Sequence, residues 1–129
     1  MRLGYVIVYV ADVAATLEFY ERAFGLRRRY LHESHTYGEL DTGATALAFA
    51  AESLIALNGL TARPNRRDDD PAGAEVGLVT NDVAGAYRAA VSAGATPYQE
   101  PALKPWGQTV GYVRDNNGFL VEICSPVGG

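Results

Sequence analysis

Acidic, phenolic and aromatic side chains carry most of the chemical potential in this sequence. Glu75 opens one alternating segment and Glu122 sits inside another. A carboxylate on such a segment can accept hydrogen bonds, move a proton or hold a cation. Trp106, Gln108, Val110 and Tyr112 recur at every second position. That spacing puts side chains on one face of an extended chain. Two aromatic rings with one amide between them suit a pocket that is mostly apolar and carries few polar anchors. The same side chains would equally serve as packing between modules. Tyr37 and Glu39 share this spacing, as do Tyr5 and Ile7. An exposed edge is the alternative for Tyr37 and Glu39, and a solvated sheet edge for Glu75. His32 and His35 lack the spacing of a zinc pair and read as surface residues. Cys124 reads as inert packing. Lys104 faces either an anionic ligand or solvent.

The elements that must position these residues are written twice. Residues 5–12 and 75–82 both alternate like strands and both end in Asp. Asp12 and Asp82 are each followed by Val-Ala and then by a helical pattern that closes on Gly, at Gly25 and Gly94. An Asp at the helix start accepts the free amides of the first turn, and a Gly at the end adopts the left-handed conformation. Val13, Leu17, Tyr20 and Phe24 form the apolar face of the first helix. Val83, Tyr87, Ala90 and Val91 form that of the second. Strand-like segments follow at 28–33, 37–41 and 45–50, and again at 96–100, 108–114 and 119–124. Asp41-Thr42-Gly43 and Asp115-Asn116-Asn117-Gly118 read as hairpin turns. The expected fold is α+β, with two tandem βαβββ modules forming curled mixed sheets around a cavity. Module one covers 1–58, a polar linker 59–74, and module two 75–129.

Alternation also predicts what the sheets face. Val6, Val8 and Val10 are uniformly aliphatic and should pack on a helix, leaving Tyr5, Ile7 and Tyr9 opposite. Val76 and Leu78 take the helix side in the second copy, with Glu75, Gly77 and Val79 opposite. Along the last strand Phe119, Val121 and Ile123 oppose Leu120, Glu122 and Cys124. Glu75 and Glu122 thus fall on faces directed away from the helices. A curled sheet would turn those faces into cavity walls.

Length and composition narrow the function classes. A chain of 129 residues, 48% hydrophobic and 20% charged, is an ordinary small globular protein that can bury a core. Eleven Lys and Arg against fifteen Asp and Glu give a net charge of −4, which argues against a nucleic-acid partner. No apolar run approaches a membrane span. Residues 1–10 read as a strand rather than a signal peptide. A single cysteine fits a reducing cytoplasm.

The duplicated plan, the stretch from Tyr5 to Gly25, and the run from Pro105 through Arg114-Asp115-Asn116-Asn117-Gly118 to Glu122 resemble the vicinal-oxygen-chelate superfamily. That superfamily contains glyoxalase I, extradiol dioxygenases, fosfomycin-resistance enzymes and bleomycin-binding proteins. In its metal-dependent members the resemblance implies a divalent ion held by His, Gln or Glu from the first and last strand of each copy. Carried onto this sequence, those positions hold Tyr5, an apolar residue within 45–51, Glu75 and Glu122. A phenol with a pKa near ~10 is a poor ligand, and a catalytic site needs about three good protein donors. The resemblance therefore implies a binding protein of the bleomycin-resistance type, sequestering an aromatic or extended small molecule without metal or other cofactor. Its expected lining is Tyr5, Ile7, Tyr37, Glu39, Phe49, Glu75, Trp106, Gln108, Tyr112 and Glu122, with no catalytic residue. The alternative is a metal-dependent lyase, isomerase or dioxygenase using a divalent ion at Glu75 and Glu122. The resemblance also implies a homodimer.

Overall fold

The computed structural model describes residues 1–128, which form two compact units: residues 1–65, and the chain from Arg66 onward. In the first unit β1 (Tyr5–Val10) is followed by α1 (Val13–Phe24), β2 (Arg27–Leu31), β3 (Tyr37–Asp41), β4 (Ala46–Ala51) and the short α2 (Ser53–Leu57). The second holds β5 (Glu75–Val79), α3 (Val83–Ser92), β6 (Thr96–Leu103), β7 (Thr109–Arg114) and β8 (Leu120–Cys124). Each unit is a four-stranded mixed sheet, ordered β1-β4-β3-β2 in the first and β5-β8-β7-β6 in the second. The first strand of each runs parallel to the last, and the other neighbours are antiparallel. The tandem βαβββ plan is therefore present, and neither sheet closes on itself.

The helix boundaries follow the predicted chemistry. Asp12 accepts from the Ala15 amide at 3.0 Å, and Asp82 accepts from the Gly85 amide at 3.0 Å. Gly25 ends α1 at φ 67. Gly94, two residues beyond the end of α3 and next to its cap Ala93, takes φ +110. Val13, Leu17 and Tyr20 are buried against the sheet, and Tyr20 packs on Phe49 with ring centroids 4.9 Å apart. Gly38 on β3 lets Leu17 of the helix come this close to the sheet, since a Cβ there would lie 2.6 Å from Leu17 Cδ1. Burying each large apolar side chain is worth roughly 1.5–3 kcal/mol, so this helix-on-sheet layer forms the unit's core. The second unit repeats it with Val83, Tyr87 and Ala90 over Val113, Val121 and Ile123.

Three features depart from the sequence pattern. The helix α2 lies where no element was expected, and none of its residues is buried. The strand β6 runs on through Pro97 and Pro101 to Leu103, with register shifts at Pro97/Gln99 and Gln99/Ala102. It is an edge strand, where the missing proline N–H breaks no ladder. Part of the expected linker is also bound into structure. The Arg114 guanidinium donates to the carbonyls of Arg66, Arg67, Asp69 and Gly118, at 3.2, 3.2, 2.6 and 2.8 Å.

Candidate functional site

Strand register decides which side chains share the open, helix-free face of the second sheet. Gly77 pairs with Glu122, and Glu122 with Tyr112. Glu75 pairs with Leu120, and Leu120 with Arg114. Glu75, Tyr112 and Glu122 are therefore neighbours on one face. The Tyr112 hydroxyl donates to Glu122 Oε1 at 3.0 Å. Gly77 leaves room beside the other oxygen, because a Cβ there would lie 3.3 Å from Glu122 Oε2.

Electrostatics tie the three together. Desolvation, with the adjacent Glu122 charge, raises the Glu75 carboxyl above its ordinary pKa, and a hydrogen bond with Tyr112 partly offsets this. Burial and the bond to Glu122 push the Tyr112 phenol up to about 12. Cys124, on the same face of β8, is buried, and its thiol is pushed up to about 11 by desolvation and then by Glu122. It is a protonated thiol at neutral pH, far from the thiolate needed for nucleophilic or ligand chemistry.

Above this trio lies a hollow of about 400 Å3 lined by Glu75, Tyr98, Gln99, Lys104, Trp106, Val110, Tyr112 and Leu120. Its position follows from the turn that precedes β7, where Lys104 and Gln108 close a backbone hydrogen bond and Gly107 adopts φ +92. Trp106 projects from this turn at 62% exposure, and its indole N–H donates to Gln108 Oε1 at 2.8 Å. Gln108 Nε2 in turn donates to the Ser125 carbonyl at 2.8 Å. The amide of Gln108 is thus spent on holding Trp106, and the indole keeps an open ring face.

The first unit gathers its own expected residues separately. Ala46, Ala48 and Ala50 pair with Tyr5, Ile7 and Tyr9, while Ala48 also pairs with Glu39 and Ala50 with Tyr37. Tyr5, Ile7, Tyr37 and Glu39 therefore share the open face of that sheet. The Tyr37 hydroxyl donates to Glu39 Oε2 at 2.7 Å, and burial with this bond raises its pKa. Glu39 also lies 3.9 Å from the Arg29 guanidinium. Phe49 corrects the expected lining. It pairs with Val8 and Gly38, is fully buried, and packs on Tyr20 of the helix. The open face at this point on β4 belongs to Ala48.

Residues absent from the expected lining have separate causes. Val110 and Leu120 carry the right parity on β7 and β8, so alternation would have found them. Tyr98 and Gln99 sit among the register shifts of β6, where alternation no longer tells which side a residue faces.

Register also tests the donor set for a divalent ion. Ile7 pairs with Ala48 as Gly77 pairs with Glu122, so Ala48 stands in the first sheet where Glu122 stands in the second. Among the described residues no three His, Cys, Asp or Glu side chains gather closely enough to hold a metal. Two carboxylates, one of them already accepting from a phenol, fall short of a three-donor set. The side chains present do not fit the ion that metal-dependent members of the resembled superfamily use.

Solved structures with this fold include a glyoxalase-related enzyme from Fulvimarina pelagi, 20% identical, with a TM-score of 0.83 over 98% of this chain and 88% of that one. TioX from Micromonospora sp. ML1 is 22% identical, with a TM-score of 0.71 over 97% and 98% of the two chains. A glyoxalase/bleomycin resistance protein/dioxygenase family enzyme from Burkholderia phytofirmans PsJN is 21% identical, with a TM-score of 0.80 over 97% and 98%. At such identities the likeness concerns the fold. No curated protein matches the chain in sequence. The sequence profile of one family matches residues 2–123, nearly the whole length. The chain belongs to the Glyoxalase/Bleomycin resistance protein/Dioxygenase superfamily.

Proposed function

We propose that this protein binds a small organic molecule of aromatic or extended shape and sequesters it without metal or chemical conversion. The observation that carries the reading is the hollow of about 400 Å3 with Tyr98, Trp106 and Tyr112 among its walls. Its size is that of a small-ligand pocket, and stacking on such rings gives affinity without a reactive group. The shortfall of metal donors supports the same reading. So does Cys124, whose thiol is protonated and buried rather than poised to attack.

The test uses the one tryptophan in the chain. Aromatic natural products titrated into the protein should quench Trp106 fluorescence saturably, and recovered ligand should be unchanged in mass. Silence across a broad panel would remove the reading. Stoichiometric metal in protein purified without chelator, or converted ligand, would replace it with a metal-dependent lyase, isomerase or dioxygenase.

The proposal includes a homodimer in the cytoplasm. Both β1 and β5 are edge strands, and Tyr5, Ile7 and Val79 leave apolar surface exposed on them. A second copy would cover such edges. Light scattering should give twice the chain mass, and a peak at 13.8 kDa would exclude the dimer. No helix among the described residues is long and apolar enough to cross a membrane.

A further inference from the structure

The second unit places two carboxylates without a basic partner beside aromatic rings. Glu75 lines the hollow, and Glu122 lies behind Tyr112, bound to its hydroxyl. Among the described residues Arg28 pairs with Glu21 and Arg29 with Glu39 and Asp41, and no such ion pair within 4.0 Å reaches Glu75 or Glu122. The first unit differs on this point, since its Glu39 has Arg29 at 3.9 Å. The one basic side chain lining the hollow is Lys104. Glu75 and Lys104 are therefore the charged side chains of the lining, Glu122 adds a second negative charge behind Tyr112, and Tyr98, Trp106 and Tyr112 supply aromatic walls.

Aromatic faces attract cations through their quadrupole, tryptophan most strongly, and a carboxylate at the same wall adds a directional acceptor. Trp106 suits this role because its N–H is already satisfied by Gln108, which leaves the ring face as its free recognition surface. We infer that the ligand of this hollow is an organic cation, a protonated or quaternary amine on an aromatic or extended body, with its charge beside Glu75 and its body against Trp106 and Tyr112. This inference rests on the sequestration reading and names the class of molecule sequestered. The carboxylates account for it physically: neither has a basic partner within 4.0 Å, a cation beside Glu75 meets that charge directly, and an anion would add a further negative charge next to it. A cation offsets the desolvation that chiefly raises the Glu75 pKa and the Glu122 charge that adds to it. The chain's net charge of −4 assists the approach of such a ligand at low salt.

Three probes with one ring system and different charge provide the test: 2-naphthylmethylammonium, 2-naphthylmethanol and 2-naphthoate. Binding is read by calorimetry and by the shift of the single indole N–H resonance. The ammonium is expected to bind at least about tenfold more tightly than the alcohol, and the carboxylate most weakly, a gap that narrows as salt rises. Glu75→Gln should cut ammonium affinity severalfold more than it cuts alcohol affinity. Lys104→Ala should tighten the ammonium. Equal affinity for ammonium and alcohol, or preference for the carboxylate, overturns the inference while the pocket stands. Failure of all three probes to move the indole resonance overturns both the inference and the sequestration reading. A Glu75→Gln protein that retains the full preference for ammonium also overturns the assignment; Glu75 is exposed at its site, so this variant keeps the fold.

Discussion

Tyr112 on β7 donates its phenolic proton to Glu122 on β8 at 3.0 Å, across directly paired strand positions. The bond orients Tyr112 at the wall of the hollow with Glu122 behind it, and burial first and then this bond push the phenol up to about 12. Removing the carboxylate should reverse part of this. In Glu122→Gln the Tyr112 phenol falls toward the ordinary value of about 10. The measurement is a spectrophotometric tyrosine titration with Tyr112→Phe as the reference that identifies the shifted ring. An unchanged titration would mean that desolvation alone holds the phenol up.

Glu75 gives a pH dependence of stability. Its carboxyl binds a proton more tightly in the folded chain than at its ordinary value of 4.5, chiefly through desolvation and then through Glu122. The folded state therefore holds more protons than the unfolded one in the window just above 4.5, and stability falls as pH rises through that window. The contribution is fully present below 4.5 and lost above the folded value. Glu75→Gln removes the ionised form. It should melt at a slightly higher temperature than the parent at pH 7, and the advantage should vanish near pH 4. Solvent screening keeps the effect small, because Glu75 is exposed. A variant that is less stable at pH 7 would show that the carboxylate is held by attraction rather than penalised.

The fold was legible because two kinds of signal agreed in both copies. Asp12 and Asp82 announced helix starts, and period-two alternation assigned the faces that carry Tyr5, Glu75 and Glu122. Those signals are local, so they survive without knowledge of the tertiary structure. The site was only partly legible for the same reason. Alternation gives Phe49 no side, because β4 reads as a continuous run, Ala-Leu-Ala-Phe-Ala-Ala, without polar punctuation to set the parity. Tyr98 was hidden by the shifts around Pro97 and Gln99. Gln108 has the parity of a pocket residue, yet the turn aims its amide at Trp106 and Ser125. Such tertiary choices leave no trace in spacing.

The placement of Phe49 can be checked against its neighbour on the open face. Phe49→Ala empties a fully buried site against Tyr20 and should cost about 3–5 kcal/mol. Ile7→Ala, on an open face at 45% exposure, should cost under ~1.5 kcal/mol. Urea denaturation of both variants measures the difference. Similar costs would mean that Phe49 does not anchor the helix to the sheet.

Arg114 makes the second unit depend on residues that look like a linker. Its guanidinium donates to four carbonyls, those of Arg66, Arg67 and Asp69 ahead of the sheet and that of Gly118 in the turn before β8. Gly118 completes the clasp by having no side chain. A Cβ there would sit 2.5 Å from the Arg66 carbonyl oxygen, and the backbone is at φ +87, where any other residue is strained. A lysine keeps the charge of Arg114 but cannot span four acceptors. Arg114→Lys should therefore cost about 1–3 kcal/mol and speed amide exchange at Asp69, whose N–H donates to Arg66 at 3.3 Å. Gly118→Ala should loosen the same segment through steric conflict. Because both act on one clasp, the double variant should lose less than the separate losses combined. Strict additivity, or unchanged exchange at Asp69 in Arg114→Lys, would show that the 66–69 turn holds itself in place.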